Sequence, residues 1–84
     1  MNIKNQIREF IENNFMVQLN GEYDDNDSLL EKGIIDSTGV LELVMYLEEN
    51  FQIKVKDEEI LPDNFDSVNN IENYLFLKLN RNGQ

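Results

Sequence analysis

The sequence has no cysteine and no histidine among its 84 residues. Without these side chains the chain can form no disulfide, and it can build neither a Ser-His-Asp triad nor a Cys-His nucleophile. Zinc would find only carboxylate ligands, which are a poor set for a structural site. A Ser-Lys pair is chemically possible, but so short a chain has little room for a substrate cleft. The composition therefore argues against an enzyme and against a metal site.

Basic side chains are also scarce. Seven Lys and Arg residues against 17 Asp and Glu residues give a formal net charge of -10. Such a surface repels nucleic acid and anionic membranes and attracts proteins that carry basic patches. No stretch reaches the roughly 20 apolar residues of a membrane span, and the amphipathic start MNIKNQIREF is neither a signal peptide nor a transit peptide. We therefore expect a cytoplasmic monomer that binds basic proteins.

Apolar residues recur at the spacing of one helix face in three segments of the chain. The predicted helices are residues 3–18, stopped by Asn20-Gly21, residues 37–50, and a last helix that begins at a cap formed by Asp66 or Ser67. A short turn from Glu58 to Leu61, ended by the single proline, Pro62, adds a fourth element. The predicted fold class is all-α: an antiparallel four-helix bundle with three main helices and one short helix, in a single domain of residues 1–84.

All three serines of the chain follow an aspartate, as Asp27-Ser28, Asp36-Ser37 and Asp66-Ser67. Serine and aspartate are preferred helix caps, so a purely structural role is the first interpretation of each pair. Ser28 begins a single turn closed by Gly33, within the long connection of residues 20–35 that Leu29 and Leu30 would anchor. We interpret Ser28 and Ser67 as caps. Ser37 differs because it precedes the strongly acidic helix.

The helix after Ser37 carries apolar and acidic residues outside its core stripe. Leu41 and Met45 are four and eight residues beyond Ser37, on its side of the helix. The predicted core stripe is Val40, Leu43, Val44, Leu47 and Phe51, and the surrounding acids are Glu42, Glu48 and Glu49. Two interpretations remain open at this point. The residues form a docking surface, or Leu41 and Met45 only widen the core stripe.

The segment GIIDSTGVLELVMYLEENFQIKVKDEEI resembles the acyl carrier proteins and the related aminoacyl and peptidyl carriers. The resemblance continues into FDSVNNIENYL and so covers nearly the whole chain. That family is a four-helix bundle with an Asp-Ser-Leu attachment motif at the start of its second helix. The only literal Asp-Ser-Leu is residues 27–29, but the register of the LELV, EENF and DEEI blocks puts Asp36-Ser37 on the motif. Thr38 replaces the usual leucine, a departure that bears on partner enzymes more than on the chemistry.

The resemblance implies that Ser37 carries 4'-phosphopantetheine, transferred from coenzyme A by a phosphopantetheinyl transferase, with Asp36 as motif residue and helix cap. The cofactor would supply the thiol that the chain lacks. The implied function is that of a free-standing acyl carrier protein, which holds an acyl or aminoacyl thioester and shuttles it between a loading enzyme and downstream synthases or transferases. The partner face would comprise Thr38, Leu41, Glu42, Met45, Glu48 and Glu49.

The cargo stays open among fatty acyl, polyketide, aminoacyl and peptidyl groups, with Thr38 favouring a specialised pathway. Cargo that enters the bundle would need a space lined by Leu43, Leu47 and Ile60. An acidic helical interaction module, without a prosthetic group, is the alternative function. An EF-hand loop from Asp24 is excluded because Leu29 and Ile35 stand where the loop needs glycine and glutamate.

Overall fold

The computed structural model describes residues 2–15 and 23–82, and within these residues it contains helices and no strand. The elements are α1 (Ile3–Asn14), α2 (Ser37–Phe51), a 3₁₀ turn (Asp57–Glu59), α3 (Pro62–Phe65) and α4 (Val68–Asn82). The predicted all-α bundle with three main helices and one short helix is confirmed. The predicted second helix agrees with α2 to within one residue at its end.

Each long helix contributes fully buried aliphatic residues to one core. These residues are Ile7 and Ile11 from α1, Leu43 and Leu47 from α2, and Ile71 and Leu75 from α4. Of the core stripe predicted for α2, Val40 and Phe51 are half-buried against this cluster and the other three residues are buried. Because burial of apolar area is the main favourable term in folding, this shared core holds the three long helices together.

Helix α1 is shorter than the sequence pattern predicts. It ends at Asn14, and the N–H of Phe15 donates to the Ile11 carbonyl at 3.0 Å to close the last turn. The Phe15 ring packs edge-on against Phe10, with ring centroids 5.8 Å apart. The prediction is therefore wrong at Phe15, which leaves helical geometry. Residues 16–18 of the predicted helix and the predicted stop at Asn20-Gly21 lie outside the described residues.

Pro62 begins a helix and does not end one. Proline suits the first helical position because its missing N–H would have no partner there and its φ is already helical. The Leu61 carbonyl accepts the N–H groups of Asn64 and Phe65, at 2.9 and 3.0 Å, and this starts α3. The sequence predicts a short turn from Glu58 to Leu61. The structure has a 3₁₀ turn at Asp57–Glu59 instead.

The connection before α2 is attached to the bundle at several points. Arg8 forms an ion pair with Asp25 and lies 4.8 Å from the centre of the Tyr23 ring. Leu29 is fully buried, as predicted, whereas Leu30 is 38% exposed and is only a partial anchor. Gly33 closes the turn with φ of +70°, the left-handed conformation that glycine adopts without strain.

Candidate functional site

Ser37 is the first residue of α2, and its side chain is exposed. Asp36 is the N-cap, as predicted, and its carboxylate Oδ1 accepts the N–H of Gly39 at 2.7 Å. The first N–H groups of a helix have no acceptor within the helix, and the helix dipole is positive at this end. A phosphate ester on the Ser37 hydroxyl would therefore lie in a favourable field.

Gly39 allows two neighbours to pack closely against the start of α2. A Cβ atom at this position would lie 2.6 Å from Ile35 Cγ1 and 2.8 Å from Phe15 Cε1. Carbon atoms do not approach so closely without displacement, so the close packing requires glycine. The end of α1 and the end of the preceding connection are thereby held against the helix start that presents Ser37.

A groove of about 290 Å³ opens beside Ser37, between the start of α2 and the segment around α3. The polar residues among its described lining are Ser37 and Asp66. Its apolar walls are Leu30, Val40, Ile60, Leu61, Pro62 and Phe65. Of the three residues expected to line a space for cargo inside the bundle, Ile60 lines this groove, whereas Leu43 and Leu47 are fully buried in the core.

The hydroxyl groups of the other two serines are engaged in the fold. Ser28 Oγ donates to the Asp66 carboxylate and accepts the Glu31 N–H at 3.1 Å. Ser67 is buried, and its Oγ accepts the Asn70 N–H at 3.1 Å, which confirms Ser67 as the cap of α4. Ser28 is thus more than the local cap that the sequence predicts, because it also links the connection to the α3–α4 junction.

Asp66 is the residue of this region that sequence reasoning missed. The sequence predicts Asp66 only as an alternative cap of the last helix, and that role belongs to Ser67. Its carboxylate accepts the Leu30 N–H at 2.9 Å in addition to the Ser28 hydroxyl, and Asp66 is one of the residues that line the groove. No local pattern in the sequence indicates this role, because Ser28 and Leu30 are 38 and 36 positions from Asp66 in the chain.

The apolar residues beyond Ser37 are exposed on α2. Leu41 is 54% exposed and Met45 is 59% exposed, so the interpretation that they widen the core stripe is wrong. Thr38, Glu42 and Glu49 are exposed as well. Glu48 differs, because it is half-buried and its Oε2 accepts the Val55 N–H at 2.9 Å. Its carboxylate therefore stabilises the segment that follows α2.

Neither a membrane-spanning helix nor a metal-binding cluster is found in the described segments. None of the helices in residues 2–15 and 23–82 combines the length and apolarity needed to cross a membrane. In the same part of the chain, no three side chains of histidine, cysteine, aspartate or glutamate converge into a possible metal site.

The chain matches known proteins over most of its length. A family model described as "Phosphopantetheine attachment site" matches residues 5–75. The D-alanyl carrier protein of Streptococcus sanguinis (strain SK36) is 35% identical over 71 residues, which are 84% of this chain and 87% of that protein. The D-alanyl carrier proteins of Streptococcus gordonii and Streptococcus thermophilus are each 32% identical with the same coverage.

These matches have direct consequences for cofactor and partners. The protein is a carrier, not an enzyme, and it holds 4'-phosphopantetheine covalently. It interacts with a phosphopantetheinyl transferase and with enzymes that load or accept its cargo. The exposed serine, the helix start and the adjoining groove fit such a group. The chain therefore belongs to the family of phosphopantetheine-binding carrier proteins.

Proposed function

We propose that Ser37 is the attachment residue and that the chain carries a D-alanyl group. The assignment of Ser37 rests on a comparison of the three serines, by the hydrogen bonds and the exposure of their side chains. Those of Ser28 and Ser67 are used in hydrogen bonds of the fold, whereas Ser37 is exposed on the first turn of a 15-residue helix. A transferase needs an accessible hydroxyl, and Ser37 alone among the serines provides one at an anion-favouring helix start.

The residues around Ser37 have separate tasks in this proposal. Asp36 caps α2 and fixes the direction in which the first turn points. Gly39 lets Phe15 and Ile35 brace that turn. The phosphopantetheine group supplies the thiol that the chain lacks, and the groove beside Ser37 offers its arm an apolar surface.

The partner face comprises Thr38, Leu41, Glu42, Met45, Glu48 and Glu49. The exposed Leu41 and Met45 provide an apolar centre, and the acids provide attraction for basic partners. Exposed ion pairs contribute about 0–1 kcal/mol each, which suits fast and reversible docking. Glu48 is the exception within this face, because its carboxylate already accepts a backbone hydrogen bond.

D-alanine is proposed as cargo from the relatives, which are named D-alanyl carrier proteins. It is an aminoacyl cargo, one of the classes left open by the sequence, and small enough for the groove beside Ser37. A cytoplasmic location remains part of the proposal. Housekeeping fatty acid synthesis is the competing pathway.

The test is intact mass after incubation with coenzyme A, Mg²⁺ and a broad-specificity phosphopantetheinyl transferase, on wild type, Ser37→Ala and Ser28→Ala. We expect one phosphopantetheine on wild type and Ser28→Ala and none on Ser37→Ala. The modified protein is then offered D-alanine, L-alanine and acetate with ATP and an adenylating ligase that activates D-alanine. Modification that persists in Ser37→Ala would refute the site, and failure of D-alanyl loading would refute the cargo.

The acidic interaction module remains the second candidate. Its supporting observation is the net charge of -10 together with the exposed Leu41 and Met45, which need no prosthetic group to bind a basic protein. A folded wild type that accepts no phosphopantetheine in the mass experiment would favour this function.

A further inference from the structure

The groove beside Ser37 combines apolar lining residues with the acidic side chain of Asp66. Of its described lining residues six are apolar, and the polar ones are Ser37 and Asp66. Phe65, which lines the groove, is 1% exposed. With a volume of about 290 Å³, the groove suits a short group.

The Asp66 carboxylate keeps capacity for a further hydrogen-bond donor. One oxygen accepts the Leu30 N–H at 2.9 Å and the other accepts the Ser28 hydroxyl. Each carboxylate oxygen can accept two hydrogen bonds, so one acceptor position on each remains. Among the residues that the structure describes, no lysine or arginine lines the groove. A cationic group that enters it would meet Asp66 without competition from a resident cation.

We propose that Asp66 is a specificity-determining residue of this carrier, which binds the ammonium of an aminoacyl group brought into the groove by the arm on Ser37. This inference rests on the proposed function. An aminoacyl group differs from an acyl group of the same size by its ammonium. The acidic side chain of Asp66, in the lining, would attract this ammonium and would have no such interaction with an acyl group. The short apolar side chain of alanine would lie against Leu30 and Leu61.

The experiment compares two cargoes on one protein. The ¹⁵N-labelled chain is modified by the transferase with coenzyme A analogues that end in a stable D-alanyl amide or in the propionyl amide, which lacks only the amine. Intact mass establishes attachment first. We expect D-alanyl to shift the backbone amides of Leu30 and Asp66 relative to the unloaded arm, and propionyl to leave them nearly unshifted.

Variants then assign the effect to Asp66. Asp66→Asn should abolish the D-alanyl shifts, whereas Asp63→Asn, which removes an exposed carboxylate outside this groove, should leave them unchanged. Asp66→Asn also weakens the contacts of Asp66 to the connection before α2. A second pair of variants, at Leu61, therefore tests the charge effect with Asp66 unchanged. Leu61 is 49% exposed in the groove wall, so Leu61→Glu should raise and Leu61→Lys lower the docked population of D-alanyl, by up to about fivefold between them.

Equal shifts for D-alanyl and propionyl would overturn the role of Asp66, as would equal docking in Leu61→Glu and Leu61→Lys. These outcomes differ from failure of the proposed function, because the arm and its cargo are attached and counted by mass in every sample. A protein that takes up no arm at Ser37 would refute the proposed function itself and this inference with it.

Discussion

The hydroxyl of Ser28 donates to the carboxylate of Asp66, 38 positions further along the chain. Through this bond, and through the Leu29 N–H that donates to the Asp66 carbonyl at 2.7 Å, the connection before α2 is fastened to the α3–α4 junction. The same fastening places Leu30 in the groove wall beside Ser37. The serine of the literal Asp-Ser-Leu triplet thus shapes the site without being the exposed serine.

Ser28→Ala should lower the free energy of unfolding while leaving modification intact. The substitution removes the donor to Asp66 and the acceptor of the Glu31 N–H, so we expect a loss of about 1–3 kcal/mol. Ser37→Ala, at an exposed position, should change stability by less than about 0.5 kcal/mol. Urea denaturation of both variants gives the comparison, and equal stabilities would contradict the structural role of Ser28.

Charge reversal should separate the tasks of two glutamates on α2. Glu42→Lys should lower kcat/KM of the transferase about two- to tenfold without loss of stability, because Glu42 is exposed. Glu48→Lys should also destabilise the fold, because Glu48 accepts the Val55 N–H. Glu9→Lys on α1 is the control with the same charge change at an exposed position. If Glu9→Lys slows modification as much as Glu42→Lys, the transferase is attracted by the net charge of the whole protein, and α2 is not the docking face.

Gly39→Ala should destabilise the start of α2 although alanine is the better helix former. The added methyl group would overlap Ile35 and Phe15, and overpacking of this kind costs about 1–3 kcal/mol. Thr38→Ala, at the exposed neighbour, should stay within about 0.5 kcal/mol of wild type. Thermal unfolding by circular dichroism measures both. A Gly39→Ala protein as stable as wild type would mean that Ile35 and Phe15 move aside freely.

Glu59 should make stability depend on pH in the acid range. Its carboxylate accepts the Lys56 N–H, pairs with Lys78 at 3.0 Å and accepts the Tyr74 hydroxyl at 2.8 Å, and its pKa falls to about 2, chiefly through the backbone hydrogen bond from Lys56. Because the folded-state pKa is depressed, the contribution is complete above the ordinary pKa of 4.5 and is lost as the pH falls towards 2.

The matching experiment compares Glu59→Gln with Glu58→Gln, its exposed neighbour. At neutral pH Glu59→Gln should be about 1–2 kcal/mol less stable than wild type, and this difference should shrink between pH 4.5 and pH 2. Glu58→Gln should follow wild type throughout. A difference for Glu59→Gln that is constant with pH would show that the carboxylate charge plays no part.

Gln52 ends α2 in the left-handed conformation, with φ of +57°. A residue with a Cβ atom is strained there by about 1–2 kcal/mol, and glycine is not. Gln52→Gly should therefore raise the free energy of unfolding by up to about 1 kcal/mol, the remainder being offset by the entropy of glycine in the unfolded chain. Asn50→Gly, two residues earlier within the helix, should lower it by up to about 1 kcal/mol. A destabilised Gln52→Gly would contradict this assignment of strain.

Several features of the fold could be predicted from local sequence alone. The 3.6-residue spacing of aliphatic residues gave α2 and the start of α4, because one face of each helix must be buried. Asp36 and Ser67 were predicted as caps, since their short side chains reach the N–H groups of the first helical turn. Local sequence was not sufficient at two positions. The apolar spacing predicted helix beyond Phe15, which lies after the end of α1, and Pro62 was predicted to end a turn but begins α3.

The sequence by itself determined the family, the absence of a thiol and of histidine chemistry, and the register that singles out Asp36-Ser37. Only the tertiary structure decided that Leu41 and Met45 are exposed, that Glu48 is held by Val55, and that Asp66 lines the groove beside Ser37. The reason is physical. Helix periodicity and capping act between residues a few positions apart, whereas burial and the bond from Ser28 to Asp66 depend on segments that meet only in the folded bundle.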